Sequence, residues 1–197
     1  MTFNHITSID FVTSAYKTSG FPEGSHPEIA FAGRSNVGKS SLINALLSRR
    51  SLVKVSSRPG LTQSINFFLV NKNIFFVDLP GYGFAKAPKE VTAKWKTLIE
   101  GYFQTKRDLR SVVCIFDIRR LPDQMDAGLL EYLHNLKINT LIALNKADKL
   151  SQPKRAAQVK AITSLLPHLA AEPFLVSART GEGIMMVMGR LMRSIQP

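Results

Sequence analysis

The chain has 197 residues, of which 45% are apolar and 20% charged, with a single cysteine. That balance excludes a disordered, collagen-like or mucin-like chain and predicts one globular domain with its own core, while the lone cysteine excludes an intramolecular disulfide. Twenty-six basic residues against fourteen acidic ones leave a formal charge of +12, a field that favours a polyanionic partner.

Residues 6–16 read as a short extended or amphipathic piece, and 17–27, rich in Gly, Pro and Ser, as a loop. Residues 1–27 are therefore expected to be an N-terminal extension that packs on, or leads into, a domain spanning 28–197. In that domain a strand is predicted over 28–32 and a helix over 39–48. Strands over 65–70 and 74–78 are joined by Asn71-Lys72-Asn73, a hairpin-length link. Trp95, Leu98, Ile99 and Tyr102 recur at helical spacing, predicting a helix over 93–104. Beyond it come a strand over 112–117, a helix over 123–136, a strand over 140–145, a helix over 153–165 opened by Pro153, a strand over 174–177 and a closing helix over 184–194. Strands alternating with helices predict an α/β, three-layer fold. Its expected sheet is mostly parallel and six-stranded, with one antiparallel edge strand and helices on both faces.

From Ile29 to Val77 there is no Asp or Glu, although Arg34, Lys39, Arg49, Arg50, Lys54, Arg58 and Lys72 all lie there. No apolar run approaches the roughly 18 residues of a membrane span; continuous runs such as 74–77 and 112–116 are strand-sized. The first ten residues lack a basic start and an apolar stretch, and the final Ser-Ile-Gln-Pro shows no prenylation box. The expectation is a cytoplasmic protein with no membrane association and no lipid anchor.

Residues 33–40 read Gly33-Arg34-Ser35-Asn36-Val37-Gly38-Lys39-Ser40, a complete G-x-x-x-x-G-K-[ST] between a predicted strand and a predicted helix. Gly33 and Gly38 permit backbone conformations and close approaches that a Cβ would block. Successive amides from Asn36 to Ser41 can turn toward α and β phosphates at the helix N-terminus. Lys39 then reaches the β and γ oxygens, and the Ser40 hydroxyl suits Mg²⁺. This motif specifies a nucleoside triphosphate, not the base.

Asn145-Lys146-Ala147-Asp148 follows a predicted strand and resembles the guanine-specificity motif N-K-x-D of GTPases. The two acceptors of the Asp148 carboxylate match guanine N1–H and its 2-amino group, donors that adenine lacks, and a Lys146 stem can lie along the base face. Asp78-Leu79-Pro80-Gly81 fits D-x-x-G, with Asp78 expected on Mg²⁺ through water and the Gly81 amide expected to sense the γ-phosphate. Between these motifs, Gly60-Leu61-Thr62 supplies the expected switch threonine. Thr62 would ligate Mg²⁺ only in the triphosphate state, with Ser56, Ser57 or Ser64 as alternative hydroxyls. Val176-Ser177-Ala178, after the last strand, resembles the S-A-x segment whose backbone caps guanine O6. Lys39, Thr62 and Gly81 are the candidate catalytic groups; Ser40, Thr62 and Asp78 are the candidate metal ligands.

In this order the motifs resemble those of translation-factor-related GTPases. Asp78-Leu-Pro-Gly-Tyr-Gly-Phe-Ala85, then Lys94-Trp95 and Tyr102, then Asp117-Ile-Arg-Arg-Leu-Pro-Asp-Gln-Met-Asp126, are similar to the EngB family of bacterial GTP-binding proteins over nearly the whole chain. The resemblance implies a GTP/GDP switch with Mg²⁺, in a single GTPase domain without an appended RNA-binding domain. It also implies the large ribosomal subunit or its precursor as partner, in subunit assembly, with links to cell division and septation; without an added domain, a monomer is expected. Competing readings are a P-loop phosphotransferase, which would need an acceptor pocket, and a nucleotide-dependent scaffold without turnover.

Where Ras-like proteins carry a water-orienting Gln after D-x-x-G, this chain has Tyr82. A phenol cannot reproduce the amide's paired donor and acceptor, so slow intrinsic hydrolysis is expected. Asn36 matches an asparagine that ligates K⁺ in potassium-activated relatives; its other reading is a residue that stabilises the loop by side-chain-to-backbone bonds. Cys114 is expected in the core, Arg119 and Arg120 at a ligand-facing strand end or on a solvated loop, and the four histidines show no metal spacing.

Overall fold

Period-two alternation divides the strands between two apolar layers. On β2 (Glu28–Gly33), Ile29 and Phe31 face one side while Ala30 and Ala32 face the other. The same split separates Val113 and Ile115 from Val112, Cys114 and Phe116 on β5 (Leu109–Asp117), and Leu141 and Ala143 from Ile142 and Leu144 on β6 (Thr140–Asn145). Strands buried on both faces need helices on both faces. The computed structural model of the chain, which describes residues 6–24, 26–48, 64–83, 89–169 and 172–195, supplies them. Leu42, Ile43 and Leu46 of α1 (Lys39–Leu46) and Ile184, Val187 and Leu191 of α5 (Ile184–Ser194) cover one face. Leu98, Ile99 and Tyr102 of α2 (Lys89–Gln104), Leu130 and Leu133 of α3 (Gln124–Asn135) and Ile162 of α4 (Gln152–Thr163) cover the other.

Among the described residues the sheet has seven strands in the order β1-β3-β4-β2-β5-β6-β7, with β1 spanning Ile9–Ala15, β3 Ile65–Val70, β4 Ile74–Asp78 and β7 Phe174–Leu175. β2 pairs in parallel with β4 and β5, as do β5 with β6 and β6 with β7; β3 alone runs against its neighbours. The mostly parallel three-layer sheet is the one expected, but its strand number is seven rather than six. The extra strand is β1, which lies outside β3 and closes that end of the sheet. Its pattern hid it: Asp10, Phe11 and Val12 are exposed and the register shifts between Phe11 and Thr13, so no clean alternation is left to read. Within the 1–27 extension, residues 9–15 are thus part of the same sheet. Cys114 is fully buried, as expected, and burial pushes its thiol pKa up. Among the described residues no helix is long and apolar enough to cross a membrane.

Candidate functional site

Each parallel strand ends at one edge of the sheet, and the Gly33–Ser40, Asp78–Gly81, Asn145–Asp148 and Val176–Ala178 motifs lie there. β2 ends at Gly33, β4 at Asp78, β5 at Asp117 and β6 at Asn145, with Val176-Ser177-Ala178 following β7. In open α/β sheets this edge is where ligands bind.

The Gly33–Ser40 turn is shaped by two glycines with no room for a side chain. A Cβ on Gly33 would sit 2.8 Å from the Ile115 carbonyl oxygen. Gly38 has φ +93° and immediately precedes α1, and its Cβ would collide with Asn145 Nδ2. Asn36 also takes a left-handed φ of 69°, which asparagine tolerates better than most residues. No side-chain-to-backbone bond of Asn36 is present among the described residues; its carbonyl accepts from Lys146 Nζ at 2.7 Å.

Lys39, the first residue of α1, is 8% exposed and forms an ion pair with Asp78, itself 3% exposed. Asn66 Nδ2 lies 3.4 Å from the other Asp78 oxygen. The Asp78 carboxylate therefore faces the glycine-rich turn. With the Ser40 hydroxyl it offers the hard oxygen donors that Mg²⁺ prefers, so the residues present fit that ion. Gly60, Leu61 and Thr62 lie outside the described residues, as do Ser56 and Ser57. Ser64, the described alternative hydroxyl, is buried and donates to Asn66 Oδ1 at 3.3 Å.

The D-x-x-G segment is anchored on several sides. Leu79 N–H donates to the Phe31 carbonyl at 3.1 Å, and Trp95 Nε1 donates to the Pro80 carbonyl at 3.1 Å. Ser35 N–H donates to the Tyr82 carbonyl at 3.0 Å, stitching this segment to the phosphate turn.

The third motif is cross-bonded to the first. Asn145 Nδ2 donates to the Val37 carbonyl at 3.0 Å, while its Oδ1 accepts from Ala178 N–H at 3.2 Å. One amide thereby joins the phosphate turn, β6 and the last loop; the Ala178 amide, in the segment whose backbone is expected to cap guanine O6, is engaged with Asn145 here. Ser177 Oγ donates to Asp148 Oδ1 at 2.8 Å. That bond foremost holds the Asp148 carboxyl below its ordinary pKa, with Lys149 and Arg179 adding to the effect, so the group is an acceptor at neutral pH. Val176 is buried, and its carbonyl takes the Ala147 N–H at 3.0 Å, placing the N-K-x-D loop against the last one.

Two constellations escaped the sequence reading. Asp117, at the end of β5, receives Lys146 Nζ at 2.9 Å and both guanidinium arms of Arg119, at 2.9 and 2.7 Å. Burial pushes its pKa up, but the bonds from Arg119 and Lys146 outweigh that and bring it to about 2. Lys146, at φ 67°, is thus pinned between Asp117 and the phosphate turn. The second constellation joins Arg34 to Asp123 and Asp126 at the start of α3, where Asp126 also receives the Tyr82 hydroxyl at 2.8 Å. An Asp at the end of a buried strand, and two Asp at capping-box spacing, were the available signals. Neither reveals its partner.

A model of the 50S ribosome-binding GTPase family matches residues 28–146. The chain is 49% identical over 178 residues, 90% of each chain, to a probable GTP-binding protein EngB of Syntrophus aciditrophicus. It is 44% identical over 192 residues to one of Citrifermentans bemidjiense, covering 98% of this chain and 90% of that one. A crystal structure of a probable GTP-binding protein engB superposes with a TM-score of 0.70 at 29% identity, covering 85% of this chain and 98% of that one. Motif order, loop cross-bonding and these likenesses agree, and the chain belongs to the EngB family of GTPases.

Proposed function

We propose that this protein is a GTP/GDP switch with slow intrinsic hydrolysis, acting in the cytoplasm on assembly of the large ribosomal subunit and needed for normal cell division. The observation that carries the nucleotide reading is Asn145, whose amide bonds the phosphate turn and the Ser177-Ala178 loop at once. That cross-bond supports a base held by Asp148 at a defined distance from phosphates held by the amides of 36–41. Lys39 supplies the cation for β and γ oxygens. Ser40 and Asp78 would hold Mg²⁺, which when bound neutralises charge on those oxygens; Thr62 would complete the set in the triphosphate state. The free N–H of Gly81, which bonds to none of the described residues, is the donor for a γ-phosphate oxygen. Ordering of Thr62 and Gly81 around that group is the switch. GTP hydrolysis releases phosphate to water, so no acceptor molecule is required.

The +12 charge supports a ribosomal partner, rRNA or ribosomal protein, contacted by a monomer with residues 28–197 as the nucleotide-binding body, to whose sheet residues 9–15 add a strand. Asn36 is the residue through which K⁺ would act; phosphate release that is equal in KCl and NaCl at matched ionic strength rules that role out. The deciding experiment is binding to ribosomal subunits and their precursors with a non-hydrolysable GTP analogue against GDP, at two salt concentrations. Binding that requires the triphosphate and survives higher salt supports the reading. Binding that ignores nucleotide and vanishes with salt reflects charge alone.

A further inference from the structure

Tyr82 occupies the position where a water-orienting group would be sought, yet its hydroxyl is bound to α3. The ring is 6% exposed and lies 6.3 Å from that of Trp95, and its hydroxyl donates to Asp126 Oδ1 at 2.8 Å. Asp126 is itself fixed. Its other oxygen accepts from the Asp123 N–H at 3.0 Å, closing the capping box of α3, and lies 3.7 Å from Arg34 Nη1. Arg34 belongs to the phosphate turn, and its guanidinium also pairs with Asp123. The Tyr82 backbone joins the same ring of contacts, because its carbonyl accepts from Ser35 N–H.

We infer that Tyr82 is a positioning residue for the γ-phosphate sensor, acting through Asp126 rather than on the attacking water. Gly81 sits between the Pro80 carbonyl held by Trp95 and the Tyr82 anchor held by Asp126 and Ser35. Its peptide N–H is left unbonded among the described residues, and a Cβ on Gly81 would lie 3.2 Å from Ser35 N, so the strand of chain has little room to slide. The aim of that N–H is therefore set by where Tyr82 is pinned. A pre-aimed donor strengthens binding of the group it meets, and only a triphosphate presents that group. Diphosphate, lacking the γ oxygen, gains nothing from it. Arg34 makes the anchor common to the phosphate turn and α3, so α3 and the sensor are set relative to the same turn. The inference rests on the reading of Gly81 as the γ-phosphate donor.

The test is the ratio of affinities for a non-hydrolysable GTP analogue and for GDP, both with Mg²⁺, in the full chain, with melting temperature measured alongside. Tyr82→Phe loses one hydrogen bond to a charged acceptor and should weaken the analogue roughly fivefold to tenfold, leaving GDP within about twofold. Asp126→Asn keeps the Oδ1 acceptor for Tyr82 but loses the acceptor for the Asp123 N–H. It should lower the melting temperature while keeping the ratio near wild type. Asp126→Ala should move the ratio as Tyr82→Phe does, and the double variant Tyr82→Phe/Asp126→Ala should move it no further. A melting shift in Tyr82→Phe with an unmoved ratio would reduce the bond to a helix-cap contact and overturn the inference. An equal change of ratio in Asp126→Asn would do the same. If the wild-type chain binds neither nucleotide, the GTP reading falls and takes this inference with it; if wild type binds both and the variants leave the ratio alone, only the inference falls.

Discussion

The two edges of the sheet both bury carboxylates, and they treat them differently. At the edge where β2 begins, Glu28 is 1% exposed and saturated: Arg107 Nε reaches Oε1 at 2.8 Å and the Tyr102 hydroxyl reaches Oε2 at 2.8 Å. Arg107 lies 5.7 Å from the Phe21 ring centroid and 5.2 Å from that of Phe67, and it donates to the Pro22 carbonyl at 3.1 Å. The Tyr102 ring and the Phe67 ring beside Arg107 belong to the core, so this carboxylate is held by the packing of the domain. At the opposite edge, Asp78, Asp117 and Asp126 are paired with Lys39, Lys146 and Arg34, and all three cations belong to the motif segments, Lys39 at the first position of α1. A buried pair whose cation lies in a motif segment can be exchanged for another anion; one made by a guanidinium wedged between rings cannot. The comparison teaches that burial of a charged pair by itself says little about function. Where the cation is seated, in a motif segment or among core rings, says more.

That contrast can be broken by substitution. The largest effect belongs to Lys39→Ala, which should abolish triphosphate binding in titration calorimetry while the fold, read by circular dichroism, survives. Asp148→Asn should weaken GTP on the order of a hundredfold, since two charge-assisted bonds are lost, and should improve xanthosine triphosphate, whose C2 carbonyl replaces the amine. Unchanged GTP affinity in that variant would refute the guanine assignment. Arg107→Met should do the reverse of both. It leaves Glu28 buried without its cation and should cost about 3 kcal/mol of stability in urea denaturation, with nucleotide affinity kept.

Smaller effects sharpen the comparison at the motif edge. Asp117→Asn removes the charge that pins Lys146, and should weaken GTP and GDP by the same factor, about tenfold, with their ratio unchanged. Equal kcat at saturating GTP would confirm that Asp117 acts on the base side and not on the γ-phosphate. The smallest effect is with pH. Asp117 has a pKa of about 2 in the folded chain, below its unfolded value. Its pairing with Arg119 and Lys146 therefore stabilises the fold fully above about pH 4, and that contribution is lost as pH falls toward 2. Thermal melts from pH 5 to pH 2 should show a steeper loss in wild type than in Arg119→Ala.

Much of this was legible before the fold was known. The strand over 65–70 and that over 140–145 match residue for residue, because apolar alternation or continuous β-branched and aromatic runs leave few alternatives. The helix of Trp95 and Tyr102 begins four residues earlier than its apolar spacing implies, at Lys89, where the polar sequence carries no period. β1 was readable only as an extended piece, since an edge strand with an exposed face and a bulge lacks alternation.

Residue chemistry at fixed spacing, as in Gly33–Ser40 and Asn145–Asp148, was settled by the sequence alone, because each motif is a local backbone shape with its side chains attached. The partners of those side chains were not. Lys39 with Asp78, Lys146 with Asp117 and Tyr82 with Asp126 are pairs from segments far apart in the chain, and nothing periodic links their positions. Strand order decided them: β2 lies between β4 and β5, so the loops after all three strands meet, and charges distant along the chain become each other's nearest neighbours.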